Sequence, residues 1–300
     1  FGISQGCPWS PYLFIMVMTV LLQDAKEKLQ HNEGPQVSER CMCHEMVYAD
    51  DTLLVDIAGP NLDAYAKCVA ECGREYGLEL NWSKTESLNV NAVGQVVHDA
   101  NGQPIESKLH LKYLGIMLSS DGRLESEVAV KIGNAAQDFK VLARIWSHAR
   151  VSKQFRYIVY QACVVQKLLY GLEGAWLNKA LLRKIDGFHA RCVRKLLGIA
   201  PSFYSRVSNA YVLKACASRP LSKMLLERQL VYFAHVARMP DDSPIRGCIF
   251  EPSSVKLVSH MHKKRHGRPM NQWAPLLHKV ATEMCGGRDL MQAASQAKSW

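Results

Sequence analysis

The sequence has no hydrophobic run long enough to cross a membrane. Its longest run, from Tyr12 to Leu22, is about half of the roughly 20 residues that a spanning helix requires, so it predicts a buried helix and no membrane partner. The ten cysteines show no paired C-x-x-C spacing, which indicates reduced thiols in an intracellular protein. No internal repeat or extended low-complexity segment is present, and the hydrophobic content of 48% is that of an ordinary folded chain.

Acidic residues are scarce in the second part of the chain. Residues 1–121 hold 8 Lys and Arg against 16 Asp and Glu, a net charge of −8. Residues 122–300 hold 29 against 11, a net charge of +18, and the whole chain is at +10. This division fits a metal-binding half followed by a half that tracks nucleic-acid phosphates. Solvated helix faces would give the same imbalance, so charge alone leaves both interpretations open.

The segment Tyr48-Ala49-Asp50-Asp51 carries the strongest chemical signal. Strand-like runs lie on either side of it, at 46–48 and 52–55, and predict a tight hairpin. Two adjacent carboxylates at its tip repel each other and stay ionised together only beside cations. Mg²⁺ prefers such oxygen ligands and keeps positions open for phosphates, so Asp50 and Asp51 are candidate metal ligands. Taken alone, the four residues are also compatible with a plain surface turn, where Asp is common.

Local patterns predict the elements around this hairpin. Ser10-Pro11 is typical of a helix start, and a second helix is predicted with Asn61 as its N-cap and Gly77 at its end. The Asn101-Gly102 pair is typical of a hairpin turn. Strand-like runs are predicted at 78–80 and 88–90, and the runs expected to flank the Asn101-Gly102 turn are 96–97 and 109–118.

Helices are predicted from Glu125 onward. The third of them, with Asn178 as its N-cap and Gly198 at its end, has one buried side and one basic side. Asp186 is its only acidic residue, so ion pairs within the helix cannot neutralise its basic side. This favours a surface that faces nucleic-acid phosphates over a merely solvated one. The basic side consists of Lys184, Arg191, Arg194 and Lys195.

Four segments, in the same order, resemble the motifs of reverse transcriptases. Gly2–Phe14 looks like the family's Q-G-x-x-x-S-P-x-L-F segment, and Tyr48–Asp51 matches its metal-binding hairpin. Gly77–Thr85 resembles the next motif, and Leu111–Gly115 resembles the primer-grip hairpin. The Y-L-G form of the last motif, without a ribonuclease-H-like stretch after it, is typical of non-LTR retrotransposons.

The resemblance implies a role for each motif in two-metal nucleotidyl transfer. Asp50 would be the main ligand of Mg²⁺, with Mn²⁺ as a possible substitute, and Asp51 would assist. Lys84 would balance charge near the phosphates or donate a proton to the leaving group. The implied partners are an RNA template, a DNA primer and deoxynucleoside triphosphates, and the implied location is the nucleus. Gln5, Gly6 and Tyr48 would contact template and nucleotide, and the primer grip would be Tyr113, Leu114 and Gly115.

The implied fold class is α+β, with three parts. Residues 1–121 would be the C-terminal half of a polymerase palm, 122–215 an all-helical thumb and 216–300 a basic C-terminal region. The family's first metal-binding aspartate would lie before Phe1, so the 300 residues alone are expected to be inactive. Alternatives from the residues remain a catalytically dead nucleic-acid-binding remnant, a group II intron maturase-like protein, and a helical interaction protein with a chance Y-x-D-D.

Overall fold

The chain, seen in a computed structural model, divides into two compact units. Residues 1–111 and 119–122 form the first unit, and residues 112–118 and 123–300 form the second. Short strand pairs in the first part and many helices confirm the predicted α+β class. The predicted division into three parts stays a prediction. The structure describes residues 6–31, 34–38, 44–92, 94–148, 150–258 and 272–286.

Two helices form the core of the first unit. Leu21, Ala25 and Leu29 of the first helix pack against the second helix, which contributes Tyr65 and Cys72. These positions recur at helical spacing, so each helix buries one face. The elements of this unit are α1 (Ser10–His31), β1 (Glu45–Tyr48), β2 (Asp51–Leu54), α2 (Gly59–Glu75), a 3₁₀ turn (Trp82–Lys84), β3 (Val97–His98) and β4 (Pro104–Ile105).

The prediction that the run from Tyr12 to Leu22 is a buried helix is only half right. The helix is present, but the side chains of its first turns face water, with Tyr12, Ile15 and Met16 between 57% and 66% exposed. Burial begins at Leu21, where α2 covers the helix. In the described residues, α1 therefore carries an uncovered apolar side over its first half.

Three local predictions in the first unit are wrong. The runs 78–80 and 88–90 are not strands, because their backbone is held by turn hydrogen bonds around the 3₁₀ turn and by a single bridge between Ser87 and Ser107. Asn61 is not an N-cap: α2 starts earlier, with Pro60 in its first turn, and the Asn61 amide donates to Asp56 at 2.8 Å. The C-terminal end near Gly77, at φ +71°, is as predicted.

The Asn101-Gly102 turn forms a hairpin, but not with the expected partner. Val97 pairs with Ile105 in an antiparallel β3–β4 ribbon, and the Asp99 carboxylate accepts from the backbone N–H groups of Asn101 and Gln103. The run 109–118 instead folds back on itself. It forms a second hairpin of β5 (His110–Tyr113) and β6 (Ile116–Ser119), with Leu114 and Gly115 as its turn.

The second unit is helical around two clusters of apolar side chains. Ile185, Tyr160 and Leu168 are fully buried in the larger cluster, and Phe233 and Leu277 are fully buried in the smaller one. The predicted second helix of this region is interrupted by a π turn (Gln161–Val165). The helices are α3 (Glu125–His148), α4 (Lys153–Tyr160), α5 (Gln166–Leu169), α6 (Lys179–Leu197), α7 (Ser202–Ser205), α8 (Asn209–Ala215), α9 (Leu221–Ala237), α10 (Pro244–Gly247) and α11 (Trp273–Cys285).

Helix α6 has the predicted bounds for the predicted reasons. The side chain of Asn178 accepts a hydrogen bond from the Leu181 N–H at 2.9 Å, which satisfies one free donor of the first turn. Gly198 ends the helix in the left-handed conformation, at φ +74°. Ile185 and Val193 lie on the buried side, so the helix presents its opposite side to water.

Candidate active site

The β1–β2 hairpin places two carboxylates at an exposed tip. Tyr48 pairs with Asp51, and Ala49 and Asp50 form the two-residue turn between them. Ala49 adopts a left-handed backbone at φ +53°, an unusual conformation for a residue with a Cβ. The side chains of Asp50, Asp51 and Tyr48 are all exposed. The predicted tight hairpin is therefore confirmed.

The base of this hairpin is fastened to both helices of the first unit. The Glu45 carboxylate forms an ion pair with Lys26 of α1 and accepts a hydrogen bond from the Tyr65 hydroxyl of α2 at 3.1 Å. Tyr65 is buried, and its burial together with the nearby Glu45 charge raises the pKa of its hydroxyl well above the usual value. A protonated Tyr65 stays a donor, so the hairpin base is held in place at any physiological pH. This role of Tyr65 is not visible in the sequence.

A third carboxylate follows the hairpin but serves the fold. Asp56 accepts hydrogen bonds from the N–H groups of Ser38 and Ala58 and from the Asn61 amide, at 2.8 to 3.1 Å. Burial opposes its charge, but these donors outweigh burial and hold the pKa of Asp56 below its usual value. Asp56 is accordingly a structural carboxylate at the start of α2.

Asp50 and Asp51 have the donor chemistry of a magnesium site but form an incomplete one. No ion pair neutralises either carboxylate in the part of the chain that the structure describes. Within the same residues, no group of three or more His, Cys, Asp or Glu side chains lies close enough together to hold a metal ion. Two exposed oxygen ligands fit a hard divalent cation that takes further ligands from elsewhere.

No contact shown by the described residues links the other predicted active-site residues to the hairpin tip. Lys84 ends the exposed 3₁₀ turn, and no hydrogen bond or ion pair among the described residues joins it to Asp50 or Asp51. Gly6 is exposed, with φ +91°, a conformation that favours glycine. Gln5 lies outside the described residues. The roles proposed for these three residues stay predictions.

The turn of the β5–β6 hairpin is held by helices of the second unit. Leu114 and Gly115 both have positive φ, at +48° and +79°, which is typical of a tight two-residue turn. The Tyr170 hydroxyl donates to the Leu114 carbonyl at 3.2 Å. A Cβ on Gly171, which has φ +73°, would come within 2.7 Å of the Ile116 side chain, so a larger residue there would strain the backbone and displace Ile116.

A buried ion pair supports the same hairpin from α3. Glu127 and Lys131, one helical turn apart, are 2% and 8% exposed and lie 3.1 Å apart. Glu127 also accepts the Met117 N–H at 2.9 Å, and the Lys131 ammonium lies 5.4 Å from the centre of the Tyr170 ring. The spacing of this pair is visible in the sequence, but its burial and its contact with Met117 are not.

The basic side of α6 needs one correction. Lys184, Arg191 and Lys195 are exposed and make no ion pair with any described residue. Arg194, predicted to face a nucleic-acid backbone, is only 5% exposed. Its guanidinium donates inward to Asn209, Ser205 and two backbone carbonyls, because the segment after α6 folds over it. Arg194 is therefore removed from the candidate surface.

Comparison with known proteins shows similarity to reverse transcriptases. Residues 1–118 match the family described as reverse transcriptase (RNA-dependent DNA polymerase). Two curated relatives are similar, both described as a Retrovirus-related Pol polyprotein from type-1 retrotransposable element R2 of Popillia japonica. One is 24% identical over 207 residues, which is 65% of this chain and 32% of that protein. The other is 25% identical over 242 residues, which is 76% of this chain and 32% of that protein.

The first 118 residues thus resemble reverse transcriptases, whose family description is RNA-dependent DNA polymerase. Because the relatives come from R2 elements and their alignments are longer than this segment, the similarity to proteins of non-LTR retrotransposons extends beyond residues 1–118. This confirms the motif-based identification. The chain spans about a third of the length of the curated relatives that it matches. None of its described helices is long and apolar enough to span a bilayer.

Proposed function

We propose that this chain supplies part of the active site of an RNA-directed DNA polymerase that copies an RNA template from a DNA primer. The observation that carries the proposal is the exposed Asp50–Asp51 tip on a hairpin whose base is fixed by Glu45, Lys26 and Tyr65. Positioning of this kind is what phosphoryl transfer requires of a protein. The first unit would be part of the palm, and the helices 122–215 would be the thumb.

The proposed roles follow from charge and exposure. Asp50 and Asp51 would hold Mg²⁺, or Mn²⁺, which in this chemistry supplies charge neutralisation at the triphosphate of a deoxynucleoside triphosphate. Tyr48, Gln5 and Gly6 would position the template and the incoming nucleotide. Lys84, exposed on its turn, would offset phosphate charge. Tyr113, Leu114 and Gly115 would hold the primer end.

We also propose that the 300 residues do not polymerise DNA alone. Two-metal transfer uses carboxylates from separate segments, and the described residues bring only two adjacent ones together. The nucleic acid would run past Lys184, Arg191 and Lys195, whose charges have no ion-pair partner among the described residues.

Primer extension on an RNA template with Mg²⁺ tests both statements. The intact enzyme that contains this chain is expected to extend the primer, and the 300-residue chain is expected to give no product. Asp50→Asn in the intact enzyme should lower extension by at least about a thousandfold, because electrostatic contributions of this kind are worth several kcal/mol. Glu106→Gln, which changes another exposed acid of the first unit, is the matched control. Full activity of the Asp50→Asn enzyme would refute the proposed site.

A further inference from the structure

Two aromatic side chains stand in water just after the basic helix. Phe203 and Tyr204 of α7 are 72% and 76% exposed. Their rings lie 5.3 Å apart and nearly perpendicular, at 86°. Aromatic rings contribute most when they are buried, so two adjacent exposed rings indicate a surface that meets a partner.

Hydrogen bonds from Arg194 hold the backbone on either side of the segment that carries these rings. The buried guanidinium of Arg194 donates to the carbonyl of Ala200 at 3.1 Å and to that of Val207 at 2.6 Å, on either side of α7. It also donates to the Asn209 side chain at 2.9 Å. Charged hydrogen bonds in a dry site are strong and directional, so the rings are presented by a fixed scaffold.

A cation completes the exposed surface. The guanidinium of Arg206 lies 5.7 Å from the centre of the Phe203 ring. Arg206 itself has a left-handed backbone at φ +56°, which turns the chain at the end of α7. Arg206 is exposed, so its charge remains available to a ligand that stacks on the rings.

The surrounding sequence carries basic residues but no acidic ones. From 187 to 226 the chain has no Asp or Glu. Asp186, at the edge of this stretch, is engaged by the N–H and hydroxyl of Ser222 at 2.8 and 2.7 Å. An anionic partner therefore meets only positive charge along this stretch of chain. The exposed cations of this stretch that form no ion pair with a described residue are Arg191, Lys195, Arg206, Lys214 and Lys223.

We propose that Phe203, Tyr204 and Arg206 form a stacking platform for the bases of single-stranded RNA. Aromatic rings beside guanidinium groups bind unpaired bases of any sequence, while cations hold the phosphates. The lack of acidic residues from 187 to 226 favours this polyanion over a protein partner or a second copy of the chain. The platform extends the proposed function, and the choice of RNA as its ligand depends on that function.

The test separates stacking from charge by using two probes with the 300-residue chain. One is a fluorescently labelled single-stranded RNA of about 15 nucleotides, and the other is an abasic ribose–phosphate strand of equal length. The double variant Phe203→Ala and Tyr204→Ala should raise the Kd for the RNA at least about tenfold and leave the Kd for the abasic strand unchanged. Phe155→Ala, which removes a ring that is 57% exposed in the same unit, should change neither Kd.

A conservative variant and a fold check complete the design. Phe203→Tyr with Tyr204→Phe should retain RNA affinity, because both rings still stack. Because both rings are exposed, the melting midpoint of the double alanine variant, measured by circular dichroism, should equal that of the parent chain. An unchanged Kd for RNA, or an equal loss on both probes, overturns the platform. A variant that alters only the sedimentation coefficient of the chain overturns it as well, in favour of self-association.

The outcome is independent of the active site. RNA binding here requires neither Mg²⁺ nor nucleotide, so Asp50→Asn should leave both Kd values unchanged. If extension proves insensitive to Asp50, the polymerase site fails while the platform stands. If the double variant leaves the Kd for RNA unchanged, or raises both Kd values equally, while extension still depends on Asp50, the platform fails and the polymerase site stands.

Discussion

The Tyr170 hydroxyl donates a hydrogen bond to the Leu114 carbonyl at 3.2 Å, across 56 positions of sequence. Leu114 has φ +48°, a backbone conformation that L-residues adopt at a cost of about 1–2 kcal/mol. The bond therefore secures a turn that is strained by itself. Tyr170 is therefore a positioning residue for the hairpin that we propose holds the primer.

Removing this hydroxyl should loosen the turn. Tyr170→Phe is expected to lower the free energy of unfolding by about 1 kcal/mol, the usual net value of one hydrogen bond. In the intact enzyme, the KM for the primer should rise more than kcat falls, because the change affects positioning. Urea melts and steady-state extension measure the two effects. Tyr211→Phe, at a tyrosine that is 64% exposed, is the control, and an equal effect of both variants would contradict the prediction.

Two glycine-to-alanine changes should act in opposite directions. Gly115→Ala forces a Cβ into a left-handed turn residue, at φ +79° and 3.5 Å from the Tyr170 ring, and should destabilise the chain by about 1–2 kcal/mol. Gly133 lies on an exposed side of α3 with open space around it. Gly133→Ala should therefore stabilise the chain by about 0.5–1 kcal/mol, through helix propensity alone. Thermal melts of the two variants check the opposite signs.

The buried His189 should make stability depend on pH. Its ring stacks on Tyr160 and lies 2.9 Å from both the Tyr160 hydroxyl and the Ser218 hydroxyl. Burial lowers the pKa of His189 to about 4, although the charge of Asp186 partly opposes this. The unfolded chain takes up this proton near pH 6.5, so the stabilising contribution is complete above that pH and is lost as pH falls toward 4.

From pH 7 to pH 5 the loss from His189 should be about 2 kcal/mol. The measurement is the urea midpoint at both pH values for the parent chain and for His189→Gln, which keeps a hydrogen-bonding side chain but does not titrate. The variant should show a smaller decrease than the parent. Equal decreases would assign the pH dependence to other groups.

Neighbouring arginines on α6 should respond differently to removal. Arg194→Ala leaves buried acceptors without their donor and should cost about 3 kcal/mol of stability. Arg191→Ala with Lys195→Ala should change stability by less than about 0.5 kcal/mol, because both side chains are exposed.

The same pair should weaken RNA binding through charge. If each side chain neutralises one phosphate, the slope of log K against log salt concentration should become shallower by about 2. Lys140→Ala, at an exposed lysine on α3, is the control and should leave the slope unchanged. A salt slope that the double variant leaves unaltered would place the nucleic acid elsewhere.

Local chemistry explains which elements could be predicted from sequence. The Asn178 cap, Gly198 and the Ala49-Asp50 turn depend on interactions within a few residues, and the structure has all three as predicted. The strand run 109–118 was assigned the wrong partner because the Asn101-Gly102 turn closes on the nearer Pro104–Ile105. Loop closure favours the shorter connection.

The spacing of apolar residues in the sequence did not show which polar side chains are buried. Arg194 lies between the buried Val193 and the exposed Lys195, and its placement depends on the fold of residues 200–209 above it. The clamp of Glu45 by Tyr65 and the pairing of Glu127 with Met117 depend on long-range packing as well. For the candidate site, the motif residues were therefore predictable, while the residues that hold them in place were not.

The uncovered apolar side of α1 has a practical consequence for handling this chain. Tyr12, Ile15 and Met16 form an exposed apolar strip, which should promote self-association at high protein concentration and bind hydrophobic dyes. Ile15→Lys with Met16→Glu should keep the 300 residues dispersed without touching Leu21 or Leu29, on which the packing of α1 depends.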